Sequence, residues 1–231
     1  RLHHGPAMIS LGGVALMLES DRAEFWAERG CTIVKRILRR HVNTGQFPEF
    51  EPWDFVEFLT ADEEPWEEEG HVLCDPGHGL EFVGLTCKLL LTAERLGLDS
   101  PELHETRERC REALPKLMVH LYDCGFNKEV GGIYKTIDLR SRRPVNDELP
   151  WWSLPETIRA AALMGRVFPD DAPDEAPEIG RRAHETFFND FLNLDCHSLP
   201  YQVRSPEGEV ISTSPAFPDV DPGYHCGLSL I

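Results

Sequence analysis

Apolar residues recur every three or four positions along most of this chain, and that spacing limits its fold more than any other feature. The pattern places apolar side chains on one face of an α-helix. In residues 22–42, Cys31, Val34 and Leu38 face inward while Arg36 stays in water. The sequence predicts six helices, at residues 6–19, 22–42, from the 75–77 turn to 96, 100–122 with a kink at Pro115, 153–167 and 176–194, and a seventh after residue 223.

Two short segments alternate like strands instead. Residues 131–138 precede a turn-like stretch at 141–147, and residues 201–204 are joined to 209–212 through a turn at 205–208. Both patterns predict small β-hairpins. Because no strand alternates with a helix in βαβ order, the sequence favours an all-α toroid of antiparallel helices with small hairpins rather than a parallel-sheet enzyme.

The charge balance limits the partners. The 231 residues include 23 Lys and Arg against 40 Asp and Glu, a formal net charge of −17. An acidic surface repels nucleic acid and anionic lipid, so we expect neutral small molecules or other proteins as partners. The longest pure apolar run in residues 85–91 is Leu89-Leu90-Leu91, far short of the ~20 residues that span a bilayer, so we expect no membrane segment.

The seven cysteines form an odd set without a CxxC pair. This pattern is typical of buried thiols in a reducing compartment rather than of a disulfide framework or a zinc ribbon. The sequence therefore predicts a cytoplasmic enzyme.

Reactive polar residues gather beside Gly, Pro and aromatic residues in three clusters, at residues 75–81, 150–156 and 221–226. His78 and Glu81 in the first cluster lie three positions apart and share a helix face. In a helical barrel, the starts of helices bring such side chains to one end.

The motifs in these clusters resemble the signatures of the N-acylglucosamine 2-epimerase family, which includes cellobiose 2-epimerases and mannose isomerases. In order along the chain they are Pro76-Gly77-His78-x-x-Glu81, Trp151-Trp152-x-x-x-Glu156 and Tyr224-His225. The resemblance implies an (α/α)6 barrel. It also implies that residues 1–231 are the C-terminal part of a single barrel domain, truncated at both ends and therefore incomplete in this chain.

The resemblance implies a sugar 2-epimerase that interconverts N-acylglucosamine-like and N-acylmannosamine-like sugars, or related aldoses, by proton transfer at C2. The catalytic residues would be His78, His225, Glu81 and Glu156, and the substrate-binding residues Trp151 and Trp152. Histidine suits this chemistry because its pKa lies near 7. Trp151 and Trp152 would offer apolar platforms to the C–H face of a sugar. The family usually has Pro-Gln where this chain has Ser153-Leu154, which bears on substrate identity.

Several of these residues have a second interpretation. Glu156 also fits a helix capping box with Ser153. His3 and His4 are either a tag-like surface pair or additional site histidines. The remaining histidines have no partner pattern and are interpreted as structural or exposed: His41, His71, His104, His120, His184 and His197.

We expect no cofactor and no metal, because the chain lacks HExxH, GxxxxGK[ST] and GxGxxG motifs and because C2 proton transfer needs neither. Three alternative functions stay open. The same site would support an aldose-ketose isomerase; Glu81 and Glu156 would suit a glycoside-processing enzyme on the same barrel; and the chain would also fit a non-catalytic sugar-binding protein. A homodimer is compatible with the sequence.

Overall fold

Six α-helices form about half of the part of the chain that the computed structural model describes, which is residues 1–196, 199–211 and 225. The helix-rich prediction is confirmed. The helices are α1 (Gly5–Met17), α2 (Ala23–His41), α3 (Pro76–Arg95), α4 (Pro101–Gly125), α5 (Ser153–Val167) and α6 (Ala176–Thr186).

Two helices begin where the sequence predicts them, because capping residues and prolines fix their first turns. The side chain of Asp75 accepts a hydrogen bond from the backbone N–H of His78 at 3.2 Å, directly before Pro76. Ser100 caps α4 in the same way, through the N–H of Leu103. Proline at the first helical position loses no intrahelical hydrogen bond there.

Two helix ends differ from the sequence prediction. Helix α4 continues through Pro115 to Gly125. Helix α6 ends at Thr186, followed by a π-helical turn (Phe187–Phe191) and then extended chain, so the predicted continuation to residue 194 is wrong. The predicted seventh helix lies outside the described residues apart from His225.

Eleven short strands connect the helices in the described part of the chain. They are β1 (Leu2–His3), β2 (Phe58–Leu59), β3 (Glu67–Glu68), β4 (His71–Cys74), β5 (Thr136–Asp138), β6 (Arg143–Asn146), β7 (Leu149–Pro150), β8 (Leu192–Asn193), β9 (Leu199–Pro200), β10 (Val203–Arg204) and β11 (Val210–Ile211). A short 3₁₀ helix (Leu194–Cys196) lies between β8 and β9.

Both predicted hairpins are present but shorter than expected. Strands β5 and β6 form the first, although β6 lies inside the stretch 141–147 that the sequence predicted as a turn. Strand β10 pairs antiparallel with β11 in the second. The sequence did not indicate that β5 also pairs with β4, which gives a four-stranded sheet in the order β3-β4-β5-β6, or that β10 pairs with β7. The β4–β5 pairing fixes the chain immediately before α3.

Helix α3 is buried on nearly every side and packs against α1, α4 and α5. Gly84 makes the contact with α5 possible, because a Cβ atom there would lie 2.9 Å from Nε of Arg159 and 3.2 Å from the backbone nitrogen of Ala160. The close packing of α3 on α5 brings together the side chains of two of the three sequence clusters.

The five cysteines whose side chains the structure describes are free, and Cys31, Cys74, Cys87 and Cys110 are buried. Burial raises the pKa of the Cys87 thiol to about 12, which keeps it protonated. A cytoplasmic location stays a prediction. Among the described helices, none combines the length and apolar character that crossing a membrane requires.

The side chain of Asp138 stabilises the four-stranded sheet through hydrogen bonds. Its carboxylate accepts hydrogen bonds from the N–H groups of Val72, Arg140 and Ser141 at 3.1, 3.3 and 3.0 Å. Burial would raise the pKa of Asp138, but these hydrogen bonds outweigh it and lower the pKa to about 2.

We therefore expect Asp138→Ala to lower the free energy of unfolding at pH 7 by about 2 kcal/mol. A depressed carboxyl pKa stabilises the fold above the unfolded-state pKa of about 4, and the contribution disappears as the pH falls through 2. Urea denaturation at several pH values should show the wild type and the variant converging in acid. An equal difference at pH 7 and pH 2 would show that the carboxylate charge contributes nothing.

Candidate active site

His78 lies in the first turn of α3 between two carboxylates. Its Nδ1 atom is 2.9 Å from Oε1 of Glu57 and 3.3 Å from Oδ2 of Asp75. Burial would lower the pKa of His78, but the carboxylates of Asp75 and Glu57 outweigh it and raise the pKa to about 9. His78 is therefore an imidazolium at neutral pH.

Glu57 is a site residue that the sequence analysis missed. It is only 4% exposed and also accepts hydrogen bonds from Nε2 of His3 and Nε2 of His4, both at 3.0 Å. Burial would raise the pKa of Glu57, but His78 and His4 hold it well below its ordinary value. No motif surrounds Glu57, which lies 21 positions before His78.

The short β1–β2 pairing brings the N-terminal histidines to Glu57, because His3 lies opposite Phe58 in the ladder. His4 is fully buried at its side chain, whereas His3 is 38% exposed. The structure places both histidines beside His78, which agrees with their interpretation as site histidines rather than as a surface pair. The ring centroids of His4 and His78 are 5.3 Å apart.

Glu156 connects the second cluster to His225. Its carboxylate is completely buried; Oε1 accepts from Nδ1 of His225 at 2.8 Å and Oε2 accepts from Arg159. Donor atoms of Glu81, Glu156 and His225 lie within 4.8 Å of one another. Glu81 is buried as well.

The capping-box interpretation of Glu156 is wrong. Trp152 is the N-cap of α5 and makes no side-chain capping bond, and Ser153 donates its hydroxyl to the carbonyl oxygen of Pro150 at 2.8 Å. Because a buried guanidinium is available, the Glu156 carboxylate pairs with Arg159 instead of folding back onto the helix end.

Trp152 contacts both histidines. Its ring centroid is 5.2 Å from that of His78 and 5.2 Å from that of His225, with interplanar angles of 26° and 25°. Gly77 allows this contact, since a Cβ there would lie 2.9 Å from Cη2 of the indole. The indole is 9% exposed, and thus both imidazoles stack on one largely buried ring.

Trp151 has a different role in the packing. Its Nε1 donates to the side chain of Gln202 at 3.2 Å, and its ring meets His225 edge-on at 5.9 Å. Lys135 completes the surroundings: its Nζ lies 2.6 Å from Asp75 and 5.0 Å from the ring centroid of Trp152. Burial would lower the pKa of Lys135, but Asp75 raises it above its ordinary value, so this ammonium stays charged.

The six residues proposed from the sequence thus lie together, although they come from segments far apart in the chain. His78 and His225 stack on Trp152, Trp151 meets His225 edge-on, and Glu81 and Glu156 lie beside His225. Tyr224 lies outside the described residues. A groove of about 1070 Å³ lies elsewhere, along α4, and is lined by Trp53, Arg109 and Lys116 among others. Its lining includes none of the six.

The sequence model of the N-acylglucosamine 2-epimerase family matches residues 4–225. No curated protein sequence matches the chain significantly.

Solved structures superpose on almost the whole chain. A D-mannose isomerase matches with a TM-score of 0.72 at 15% identity, over 99% of this chain and 55% of its own. The cellobiose 2-epimerase from Bacillus thermoamylovorans B4167 matches with a TM-score of 0.71 at 11% identity, over 99% of this chain and 52% of its own. The cellobiose 2-epimerase from Spirochaeta thermophila DSM 6192 matches with a TM-score of 0.67 at 14% identity, over 99% of this chain and 50% of its own.

The chain spans about half the length of these structures, whose fold is the (α/α)6 barrel. The predicted fold class is therefore confirmed, while the assignment of residues 1–231 to the C-terminal part of one barrel domain stays a prediction. Since the family model covers nearly every residue, including all three motifs, this chain belongs to the N-acylglucosamine 2-epimerase family.

Proposed function

We propose that the protein is a sugar 2-epimerase in which His78 and His225 transfer protons at C2. One observation carries the proposal: the two imidazoles stack on the same indole, and each has its Nδ1 atom held by a buried carboxylate. A pair of positioned acid–base groups around one apolar platform suits a sugar carbon that loses and regains a proton.

The hydrogen bonds of His78 and His225 indicate which ring nitrogen of each would react. A carboxylate only accepts, so Nδ1 of His225 carries its proton toward Glu156, and Nε2 is the nitrogen that would exchange a proton with the substrate. His225 is therefore suited to act as the base. In His78 the paired carboxylates favour the imidazolium, whose Nε2–H is suited to act as the acid.

On an open-chain aldose, His225 would remove the C2 proton, and the electron pair of the C–H bond would move into an enediolate. His78 would then deliver a proton to the opposite face of C2, which inverts that carbon without changing the mass. Trp152 would support the C–H face of the sugar. Glu81, buried beside Glu156 and His225, would orient a hydroxyl group.

The net charge of −17 supports a neutral aldose as substrate, and the family to which the chain belongs supports an N-acylhexosamine. If the proton returned to C1 instead of C2, the same pair of histidines would form a ketose. Product identity therefore separates an epimerase from an aldose-ketose isomerase.

The test is incubation of the purified protein with N-acetylglucosamine, mannose and cellobiose, followed by product analysis by NMR. We expect one of them to give its C2 epimer. Ketose formation would replace the epimerase by the isomerase, and release of monosaccharides from cellobiose would indicate hydrolysis. No conversion of any reducing sugar would overturn the proposal.

A further inference from the structure

His3, His4, Glu57 and His78 place one donor atom each within 4.8 Å of one another. We call these four residues the histidine cluster. We propose that the histidine cluster binds a divalent transition-metal ion of the Zn²⁺ class, and that the bound ion inhibits the enzyme. The ion would be an inhibitor rather than a cofactor of the reaction.

The separations fit a small tetrahedral ion. With metal–ligand distances of about 2.0–2.2 Å, neighbouring ligand atoms in a tetrahedral zinc site lie about 3.4 Å apart. The imidazole nitrogens of His3, His4 and His78 now lie 3.0, 3.0 and 2.9 Å from the Glu57 oxygens. These contacts would open by about half an ångström, and donor pairs that lie farther apart, within the 4.8 Å limit of the cluster, would close toward the same separation.

The donor types favour zinc over calcium or magnesium. Three imidazoles and one carboxylate form a nitrogen-rich set, whereas the two hard cations prefer oxygen ligands. Glu57 and His4 are buried, and the partly exposed His3 offers a route from solvent. The nearby carboxylate of Asp75 is already paired with Lys135, which leaves Glu57 to balance the cation.

The group formed by Glu81, Glu156 and His225 is a weaker candidate, although its donor atoms are equally close. It offers one imidazole, and Glu156 is already bound by the buried guanidinium of Arg159. A divalent cation there would meet the positive charge of Arg159 bonded directly to the carboxylate, whereas the ammonium of Lys135 near the histidine cluster is paired with Asp75 rather than with Glu57.

The inhibitory effect rests on the proposed function. An ion on Nδ1 of His78 would replace the hydrogen bond between this nitrogen and Glu57. Opening that contact would move the imidazole from its stacked position on Trp152, which is the position that the proposed reaction requires. Zn²⁺ should therefore stop the delivery of a proton to C2 without touching His225.

The test is titration of the metal-free protein with Zn²⁺ by calorimetry, and with Co²⁺ as a spectroscopic probe. We expect one equivalent of each to bind, and Co²⁺ to show the intense visible bands of tetrahedral coordination. His3→Ala should weaken binding at least tenfold. His104→Ala is the matched control, since that exposed histidine pairs with Asp99 outside the histidine cluster, and it should leave binding unchanged.

No saturable binding, or equal affinities in the two variants, would overturn the metal site. These readouts use no sugar, so they stand apart from the proposed function. Zn²⁺ that binds at one equivalent while sugar turnover continues at the same rate would retain the site and overturn the inhibition. If no sugar is turned over at all, the proposed function fails while the binding result still decides the site.

Discussion

Glu156→Ala is expected to lower the free energy of unfolding by about 3–5 kcal/mol, the cost of leaving a buried charge without its partner. Arg159 is 3% exposed, and its Nε and Nη1 atoms have no hydrogen-bond partner among the described residues. Among the described residues, Glu156 is therefore the partner whose carboxylate compensates the positive charge of this guanidinium. Denaturant unfolding measures the loss, and sugar turnover should fall because His225 also loses its orienting carboxylate.

A double variant separates the two consequences. Replacing both partners, as in Glu156→Leu with Arg159→Leu, removes the uncompensated charge and should recover much of the stability. It should not recover turnover, because His225 would still lack a hydrogen bond at Nδ1. If Glu156→Ala unfolds like the wild type, the buried pair does not stabilise the fold as argued.

His78→Ala and His225→Ala are each expected to lower the rate of C2 epimerisation by two to four orders of magnitude, the usual contribution of a positioned acid or base. Removal of His225, which is 22% exposed, should destabilise the fold by less than about 2 kcal/mol. Removal of His78 also takes a cationic partner from the buried Glu57, and should cost about 2–3 kcal/mol at pH 7. Rate assays and thermal unfolding on the same preparations measure both effects.

His104→Ala serves as the control for both variants, since its exposed imidazole lies outside the site. It should retain the turnover and the stability of the wild type. A His78 or His225 variant with unchanged turnover would remove that residue from the mechanism. A large loss of stability in either variant would instead identify a structural histidine.

The helices could be predicted from the sequence because their signals are local. Asp75 with Pro76 and Ser100 with Pro101 mark helix starts within four residues, and the apolar spacing of 153–167 reproduces the observed bounds of α5. The motif histidines were found for a similar reason, since each lies within a short recognisable pattern.

The surroundings of the histidines could not be predicted, because they depend on contacts between distant segments. Glu57 has no motif and becomes a site residue only when β1 pairs with β2 and brings His3 and His4 to it. The capping box failed for a related reason. The sequence pattern of the capping box was present. Packing of α3 on α5, however, buries Arg159 one turn beyond Glu156, and the guanidinium of Arg159 binds the Glu156 carboxylate.

Solvent exchange tests most directly whether two histidines act on opposite faces of one carbon. The measurement is deuterium entry at C2 of each separate epimer in D2O, followed by proton NMR for the wild type, His78→Asn and His225→Asn. We expect the wild type to exchange both epimers. Each variant should exchange at most one epimer, and that epimer should differ between the two variants. A variant that still exchanges both epimers at the wild-type rate would contradict the two-histidine mechanism.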